Sequence, residues 1–206
     1  MKLIEALKFT HLLNEQLNTL PNYTPLSSEI YEMAEEINRF IQIDQKGKYT
    51  YDKDSKGVNN GAGPKVPNDT DWPFKYYPNG SDEKLKYRIC CGSYVWWILC
   101  ELGYCKNGTI YGGKAKDMTY KNVQSHLRSP YSAISIGRNL DKAQKGDILV
   151  FGLNGASHTS IFHSFDGKNI YEYGMGDDVY AKGTKANPHL AKSQRLLKDI
   201  IRIIKA

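Results

Sequence analysis

The sequence of 206 residues has no uninterrupted apolar run of the roughly 20 residues that a membrane-spanning helix requires. We also expect no secretion signal, because Glu5, Lys8 and His11 interrupt the apolar stretch near the N-terminus. Internal repeats and low-complexity segments are absent too, and the composition is 40% hydrophobic and 24% charged. We therefore expect a globular protein with no membrane span that is made in the cytoplasm.

Cysteine is scarce, with four residues at positions 90, 91, 100 and 105. No two of them are separated by two residues and no histidine follows in register, which excludes the usual zinc patterns. We accordingly expect no metal and no cofactor. The adjacent Cys90 and Cys91 are a poor disulfide pair, and a Cys100–Cys105 bridge is conceivable. Reduced thiols are the expected state of all four.

The net charge of +6 is unevenly distributed along the chain. Residues 1–45 carry three basic and seven acidic side chains, whereas residues 181–206 carry seven basic side chains and one acidic side chain. A basic C-terminal stretch is expected to attract polyanions such as anionic wall polymers, anionic lipid or nucleic acid. A solvated basic face would explain the same charges, and nucleic acid has no other support in the sequence.

Two amphipathic helices are expected at the start of the chain. Residues 2–18 place leucines near one face and precede two helix-breaking prolines. The second helix begins at a capping Ser27, after which isoleucines follow at helical spacing. We interpret residues 1–24 as a separate helical segment and residues 27–206 as one domain. Within that domain, residues 44–88 are rich in glycine and proline and are predicted to form a long loop.

A third helix is predicted over residues 91–102, and Gly103 ends it. Cys91 lies at its N-terminus, where the helix dipole favours a thiolate. Cys91 belongs to an apolar face of this helix, and Cys90 projects roughly 100° away at 3.6 residues per turn. This geometry favours Cys91 as the inward-pointing thiol. A further short helix is expected over residues 118–127.

The apolar pattern changes to that of strands in the second half of the chain. Strands are predicted over Asp147–Phe151, His158–Phe165 and Asn169–Tyr173. In the second of them, His158 shares a face with Ser160 and Phe162. Residues 196–205 hold isoleucines whose spacing favours a closing strand, with a helix as the alternative.

The order of these segments resembles that of the NlpC-type cysteine peptidases and of the related CHAP amidases and peptidases. Residues 90–95, Cys-Cys-Gly-Ser-Tyr-Val, stand where the NlpC pattern has Asp-Cys-Ser-Gly-Phe-Val. Residues 145–151, Lys-Gly-Asp-Ile-Leu-Val-Phe, match an apolar segment that follows Pro-Gly-Asp. Residues 158–162, His-Thr-Ser-Ile-Phe, match His-Val-Gly-Ile-Tyr. The resemblance covers residues 85–175 and implies a papain-like α+β fold, with a nucleophile-bearing helix packed on a small antiparallel sheet.

The resemblance also implies catalytic roles. Cys91 takes the position of the nucleophile, His158 that of the general base, and Glu172 that of the third residue, which orients the imidazole. Cys90 stands where the family has aspartate, which leaves the attacking thiol open between the two adjacent cysteines. Taken without the resemblance, a buried cysteine is more often a small apolar core residue.

Three aromatic residues are candidate substrate contacts. The family often places a tyrosine upstream of the nucleophile to bind the oxyanion, which makes Tyr77 and Tyr87 candidates for that role. Trp72, in the predicted loop, is a candidate wall of the substrate groove. His163 lies one residue off the face of His158 and is expected to be structural.

For function, the resemblance implies a peptidoglycan hydrolase that cleaves an amide bond of the stem peptide by a Cys-His-Glu mechanism. A small basic hydrolase without a secretion signal fits a phage lysin or a virion-associated lytic enzyme, which would reach the bacterial cell wall after release. Two alternatives stay open. One is a non-enzymatic structural or docking module of a phage particle with a degenerate site, and the other is a cytoplasmic cysteine amidase or effector. The expected partners are peptidoglycan, anionic wall polymers and phage particle proteins.

Overall fold

A computed structural model describes residues 23–41, 50–51, 72–76, 88–106, 118–153, 156–175, 189–191 and 194–205. The helix predicted over residues 2–18 and most of the loop predicted over residues 44–88 lie outside the described residues. The candidate substrate contacts Tyr77 and Tyr87 lie outside them as well.

Three α-helices are described. They are α1 over Ser27–Arg39, α2 over Cys91–Glu101 and α3 over Tyr120–His126. Each one falls within a helix that the sequence predicts, and the differences are confined to the helix ends. None of the described helices is both long enough and apolar enough to cross a membrane.

Seven strands form an antiparallel sheet. They are β1 Thr24–Pro25, β4 Tyr131–Ser135, β5 Ile148–Leu153, β6 Ala156–Phe165, β7 Ile170–Tyr173, β8 His189–Leu190 and β9 Leu197–Lys205. A separate parallel pair is formed by β2 Thr50–Tyr51 and β3 Arg88–Ile89. The order in the large sheet is β1-β9-β5-β6-β7-β8, and β4 pairs with β9. The architecture is therefore α+β.

The sheet is larger than the small sheet that the sequence predicts. The three predicted strands are β5, β6 and β7, and they are neighbours in the sheet. The predicted closing strand is confirmed as β9, which pairs with β5 and also with β4. Its isoleucines are buried on both faces, because Ile200 belongs to one apolar cluster while Ile201 and Ile203 belong to the other. A strand that is buried on both faces loses strict alternation, which explains its ambiguous pattern.

Helix α2 is buried along its whole length. It packs against β6 on one side and against α1 on another, where the Tyr94 hydroxyl donates to the Ala34 carbonyl oxygen at 2.9 Å. A helix that is apolar all round belongs in a core. Cys91 is buried, as the sequence predicts, and Cys90 is buried as well, so burial alone does not separate the two thiols. What distinguishes the two thiols is their partners.

Residues 72–76 are attached to the C-terminal end of α2. Trp72 stacks on Trp97 with ring centroids 5.7 Å apart and an interplanar angle of 19°. The Glu101 carboxylate accepts hydrogen bonds from the backbone N–H groups of Lys75 at 2.9 Å and Tyr76 at 2.8 Å. Trp72 is thus part of the core beside Trp97 of α2, and this placement favours a structural role over a substrate contact.

The Lys-Gly-Asp turn before β5 is a structural junction. Asp147 accepts a hydrogen bond from the Ser27 hydroxyl at 2.9 Å and two from the Arg202 guanidinium, at 2.9 and 2.8 Å. These bonds join the start of α1, the start of β5 and the middle of β9. Gly146 has a φ of 94°, and a Cβ there would lie 1.7 Å from the Ser27 carbonyl oxygen, so only glycine fits.

Candidate active site

Cys90 caps the N-terminus of α2. Its sulfur accepts a hydrogen bond from the Ser93 backbone N–H at 3.4 Å, and the Ser93 hydroxyl oxygen accepts one from the Cys90 N–H at 2.9 Å. This reciprocal arrangement is a capping box, in which cysteine replaces the usual oxygen-bearing residue. The family's aspartate at this position is also a capping residue type, so the exchange for Cys90 preserves the start of the helix.

Cys91 is the first residue of α2 and lies against β6. Its thiol lies close enough to the His158 side chain and to the backbone N–H groups of Gly92 and Thr159 for all three to influence its ionisation. The pairing of β6 with β7 runs from Ile161 to Phe165, and Thr159 lies beyond it. That stretch of β6 is where the N-terminus of α2 approaches the sheet.

The environment of Cys91 favours its thiolate form. Burial by itself raises the pKa of a thiol, but the hydrogen bond and the positive charge of His158 outweigh it. The two backbone N–H groups act in the same direction, and the pKa of Cys91 falls below its ordinary value of 9.0. A cysteine whose surroundings favour the thiolate is the more reactive kind of thiol.

His158 and Glu172 form the second half of the site. The imidazole Nε2 lies 2.7 Å from the Glu172 Oε1 atom, and both side chains are almost fully buried, at 8% and 2% exposed. Burial lowers the pKa of an imidazole, but the charge of Glu172 and the contacts with Glu172 and Cys91 raise the pKa of His158 from 6.5 to about 10. Because Nε2 is engaged by the carboxylate, Nδ1 is the nitrogen that remains for the sulfur. The three residues thus form a continuous chain from sulfur to carboxylate.

Strand register explains why these side chains meet. Glu172 is the partner of Phe162 in the β6–β7 ladder. Because side chains alternate along a strand, His158 and Ser160 face the same side of the sheet as Glu172. The Ser160 hydroxyl donates a hydrogen bond to the Glu172 Oε2 atom. Gly174 faces this side too, and a Cβ there would lie 2.9 Å from the Ser160 Cβ and 3.6 Å from the His158 ring.

Cys100 shows what burial does without a histidine. No disulfide joins Cys100 and Cys105, although their thiols are close enough to hydrogen-bond. Burial raises the pKa of Cys100 well above the ordinary value, and its interactions with Cys105 and Glu101 raise it further. Cys91 is buried to a similar degree, so the opposite direction of its pKa shift results from His158.

The structure brings together the three residues that the sequence singles out as catalytic, Cys91, His158 and Glu172. Ser160 and Gly174 are two residues of the site that the sequence analysis missed as participants. The shared face of His158 and Ser160 was the available signal, but it does not identify which residue of the next strand lies opposite them. His163 packs between Tyr31 and Tyr173, at ring centroid distances of 5.8 and 5.9 Å, outside this chain of contacts.

Within the described residues, no group of three or more His, Cys, Asp or Glu side chains is arranged to hold a metal ion. No protein family, curated protein or solved structure matches the chain.

Proposed function

We propose that this protein is a cysteine hydrolase that cleaves an amide bond by acyl transfer, with Cys91 as nucleophile. The observation that carries the proposal is the buried chain of contacts from the Cys91 sulfur through His158 to Glu172. A thiol with a lowered pKa, a histidine that can exchange its proton and a carboxylate that orients the histidine are the three parts that such a reaction requires.

The proposed reaction has two steps. The Cys91 thiolate attacks the amide carbonyl carbon, and His158 gives its proton to the leaving amine as the carbon–nitrogen bond breaks. A water molecule then attacks the resulting thioester while His158 accepts its proton. The carbon–sulfur bond breaks, the acid product leaves, and the thiolate is restored. Glu172 keeps the imidazole in one orientation throughout.

The N-terminus of α2 supplies the proposed site for the oxyanion. The first N–H groups of a helix have no partner within the helix, and the helix dipole adds a partial positive charge there. Cys91 is the first residue of α2, so its own N–H is a candidate donor to the tetrahedral intermediate. This arrangement, a nucleophile at a helix N-terminus beside a strand that carries the histidine, supports assigning the α+β domain to the papain-like fold.

For the substrate, we propose peptidoglycan, cleaved at an amide bond of the stem peptide. The support is the resemblance of residues 85–175 to the NlpC-type and CHAP enzymes, together with the basic C-terminal stretch that suits an anionic wall. In this proposal the protein is made in the cytoplasm and reaches the bacterial cell wall after release, as a phage lysin or a virion-associated enzyme.

Two other functions compete with this proposal. The docking module with a degenerate site was suggested by Cys90 in place of aspartate, but Cys90 fills the capping position and the Cys91–His158–Glu172 contacts are intact. The geometry therefore favours an enzyme. A cytoplasmic cysteine amidase would use the same residues on a different amide, and only the substrate test separates it from a wall hydrolase.

The experiment compares Cys91→Ser with Cys90→Ser on purified bacterial walls, because the two variants make the same chemical change at adjacent positions. Loss of turbidity and mass analysis of the released muropeptides measure the reaction. We expect wild type and Cys90→Ser to release the same fragments and Cys91→Ser to release none. Walls left intact by wild type, with cleavage of other amide substrates, would move the proposal to the cytoplasmic amidase. Activity that survives in Cys91→Ser would overturn the mechanism.

A further inference from the structure

We propose that Ser160 is a positioning residue, which holds the Glu172 carboxylate in the one orientation that aligns His158 with the Cys91 sulfur. The inference deepens the proposed function, on which its catalytic meaning rests. Nothing in the sequence pattern of the catalytic residues assigns a role to this serine.

The geometry of the carboxylate carries the inference. Each of its two oxygens has a different partner on β6: Oε1 contacts His158 Nε2 at 2.7 Å, and Oε2 accepts the Ser160 hydroxyl hydrogen. The terminal torsion of a glutamate side chain is broad and has no sharp preference of its own. Contacts from both oxygens to side chains of one strand therefore restrict the rotation of the carboxylate about this torsion.

The hydrogen bond between Ser160 and Glu172 is buried, which increases its effect on the carboxylate. Ser160 has no exposed surface and Glu172 is 1% exposed, so water cannot readily replace the hydroxyl. A hydrogen bond to an ionised group is stronger than one between neutral groups, and it favours the charged form of the acceptor. The hydroxyl thus stabilises the carboxylate as the anion that pairs with the imidazolium of His158.

Gly174 lies next to both Ser160 and the His158 ring, and its lack of a side chain leaves room for them. The calculated 2.9 Å between a Cβ at position 174 and the Ser160 Cβ is shorter than real carbon contacts of this kind. The same Cβ would lie 3.6 Å from two ring atoms of His158, on the side where the carboxylate approaches. Because residue 174 has no side chain, Ser160 and the His158 ring can both lie close to its backbone.

The protein contains a matched control for this serine. Ser27 donates its hydroxyl hydrogen to the buried carboxylate of Asp147, whose cationic partner is Arg202 rather than a histidine. Ser27→Ala and Ser160→Ala each remove one serine hydroxyl group that donates a hydrogen bond to a buried carboxylate. Only the second carboxylate contacts the proposed active site, so a purely structural effect of the lost hydrogen bond should be common to both variants.

The test follows the imidazole directly, through the pH titration of the His158 Cε1 signal in NMR spectra of histidine-labelled protein. The chain has five histidines, and the spectrum of His158→Gln identifies the signal. We expect the midpoint of this titration to fall by about one pH unit in Ser160→Ala, because a carboxylate that is less well oriented toward Nε2 stabilises the imidazolium less, and one unit corresponds to about 1.4 kcal/mol of this difference. Ser27→Ala should leave the midpoint where it is in wild type.

A second measurement follows the sulfur, through the rate at which iodoacetamide alkylates Cys91 at neutral pH. We expect this rate to fall several-fold in Ser160→Ala and to be unchanged in Ser27→Ala. An unchanged His158 midpoint in Ser160→Ala, or the same shift in both variants, would overturn the inference. Neither measurement uses a substrate, so the two proposals can fail separately. Failure of the wild type to cleave walls would count against the proposed function alone. An unchanged His158 midpoint in Ser160→Ala would count against the positioning role alone.

Discussion

Asp147 and Glu172 are two buried carboxylates with similar surroundings, and they differ in the group with which each one pairs. Each accepts a hydrogen bond from a serine hydroxyl and pairs with a nitrogen base on a strand of the large sheet. Asp147 pairs with Arg202, and a guanidinium does not release its proton in a protein. Glu172 pairs with His158, which can release its proton and which faces a thiol. The first carboxylate can only join elements, whereas the second can support proton transfer.

Removal of the proton carrier should have the largest effect. In His158→Ala we expect the rate of amide cleavage to fall by roughly 10³- to 10⁴-fold, because the leaving amine then has no positioned acid. Thermal unfolding of the variant checks that the domain still folds. Cleavage at near wild-type rates in a folded His158→Ala variant would remove histidine from the mechanism.

At Asp147, loss of the charged partner should reduce the stability of the fold without reducing the reactivity of Cys91. Arg202→Met should lower the free energy of unfolding by about 3 to 5 kcal/mol, because it leaves the buried Asp147 charge without its ion pair. Denaturant titration measures this loss. Below the unfolding transition, we expect the alkylation rate of Cys91 to equal that of wild type, and a slower rate would mean that the two carboxylates are not independent.

Neutralising the Glu172 carboxylate should have an intermediate effect. In Glu172→Gln we expect cleavage to fall on the order of 10²-fold, which is less than for loss of the imidazole, because the amide oxygen still accepts from Nε2 but supplies no negative charge. The His158 titration midpoint should also fall from about 10 toward the ordinary value of 6.5. A midpoint that stays in place would show that another group holds the imidazolium.

The pH dependence of stability separates the thiol from the imidazole. The pKa of His158 is raised, so its contribution is complete below pH 6.5 and is lost as pH rises through about 10. The pKa of Cys91 is lowered, so its contribution is complete above pH 9.0 and is lost as pH falls through the lowered value. Just below pH 9.0, the free energy of unfolding therefore falls with rising pH because of His158 and rises with pH because of Cys91.

In Cys91→Ala the decline that comes from His158 is no longer compensated. We expect the free energy of unfolding of this variant to fall more steeply than that of wild type as pH approaches 9.0 from below. Denaturant titrations at a series of pH values measure the difference. Parallel curves for the two proteins would mean that the thiol and the imidazole do not form an ion pair.

The smallest effect is expected at Cys90, whose sulfur caps the N-terminus of α2. Cys90→Ser keeps the capping bond to Ser93 and should change the free energy of unfolding by less than about 1 kcal/mol, whereas Cys90→Ala should cost about 1 kcal/mol. Chemical denaturation distinguishes the two variants. If alkylation with iodoacetamide labelled Cys90 in preference to Cys91, the assignment of the reactive thiol would be reversed.

Much of the local structure could be predicted because its signals lie close together in the chain. Helix α2 has a capping residue next to its apolar segment, and α1 has apolar residues at helical spacing, although the predicted cap Ser27 is the first helical residue and the N-cap position is Leu26, which makes no side-chain cap bond. Strands β5, β6 and β7 have short apolar runs separated by turn residues. The prediction of Glu172 as the third catalytic residue depended on the resemblance and on the length of the turn at residues 165–168. The site contains a direct 2.7 Å contact between this residue and His158.

Other features could not be predicted because their partners are distant in sequence. Strand β4 has a weak pattern, with only Ala133 fully buried, and it pairs only with β9, near the end of the chain. Ser160 stands where the resembled pattern has glycine, so the pattern itself gave no reason to look for a hydroxyl group there. The need for Gly174 appears only once β6 and β7 lie in register.

The sequence by itself determined the α+β class, the order of helices and strands, and the residue types available for thiol chemistry. Capping, periodicity and turn formation act between near neighbours, so one chain segment contains all the information that they need. Only the tertiary structure decided that Cys91 rather than Cys90 contacts the imidazole, and that Ser160 contacts the carboxylate. Those choices depend on how α2 packs against β6 and on the register of β7, which are interactions between residues far apart in the chain.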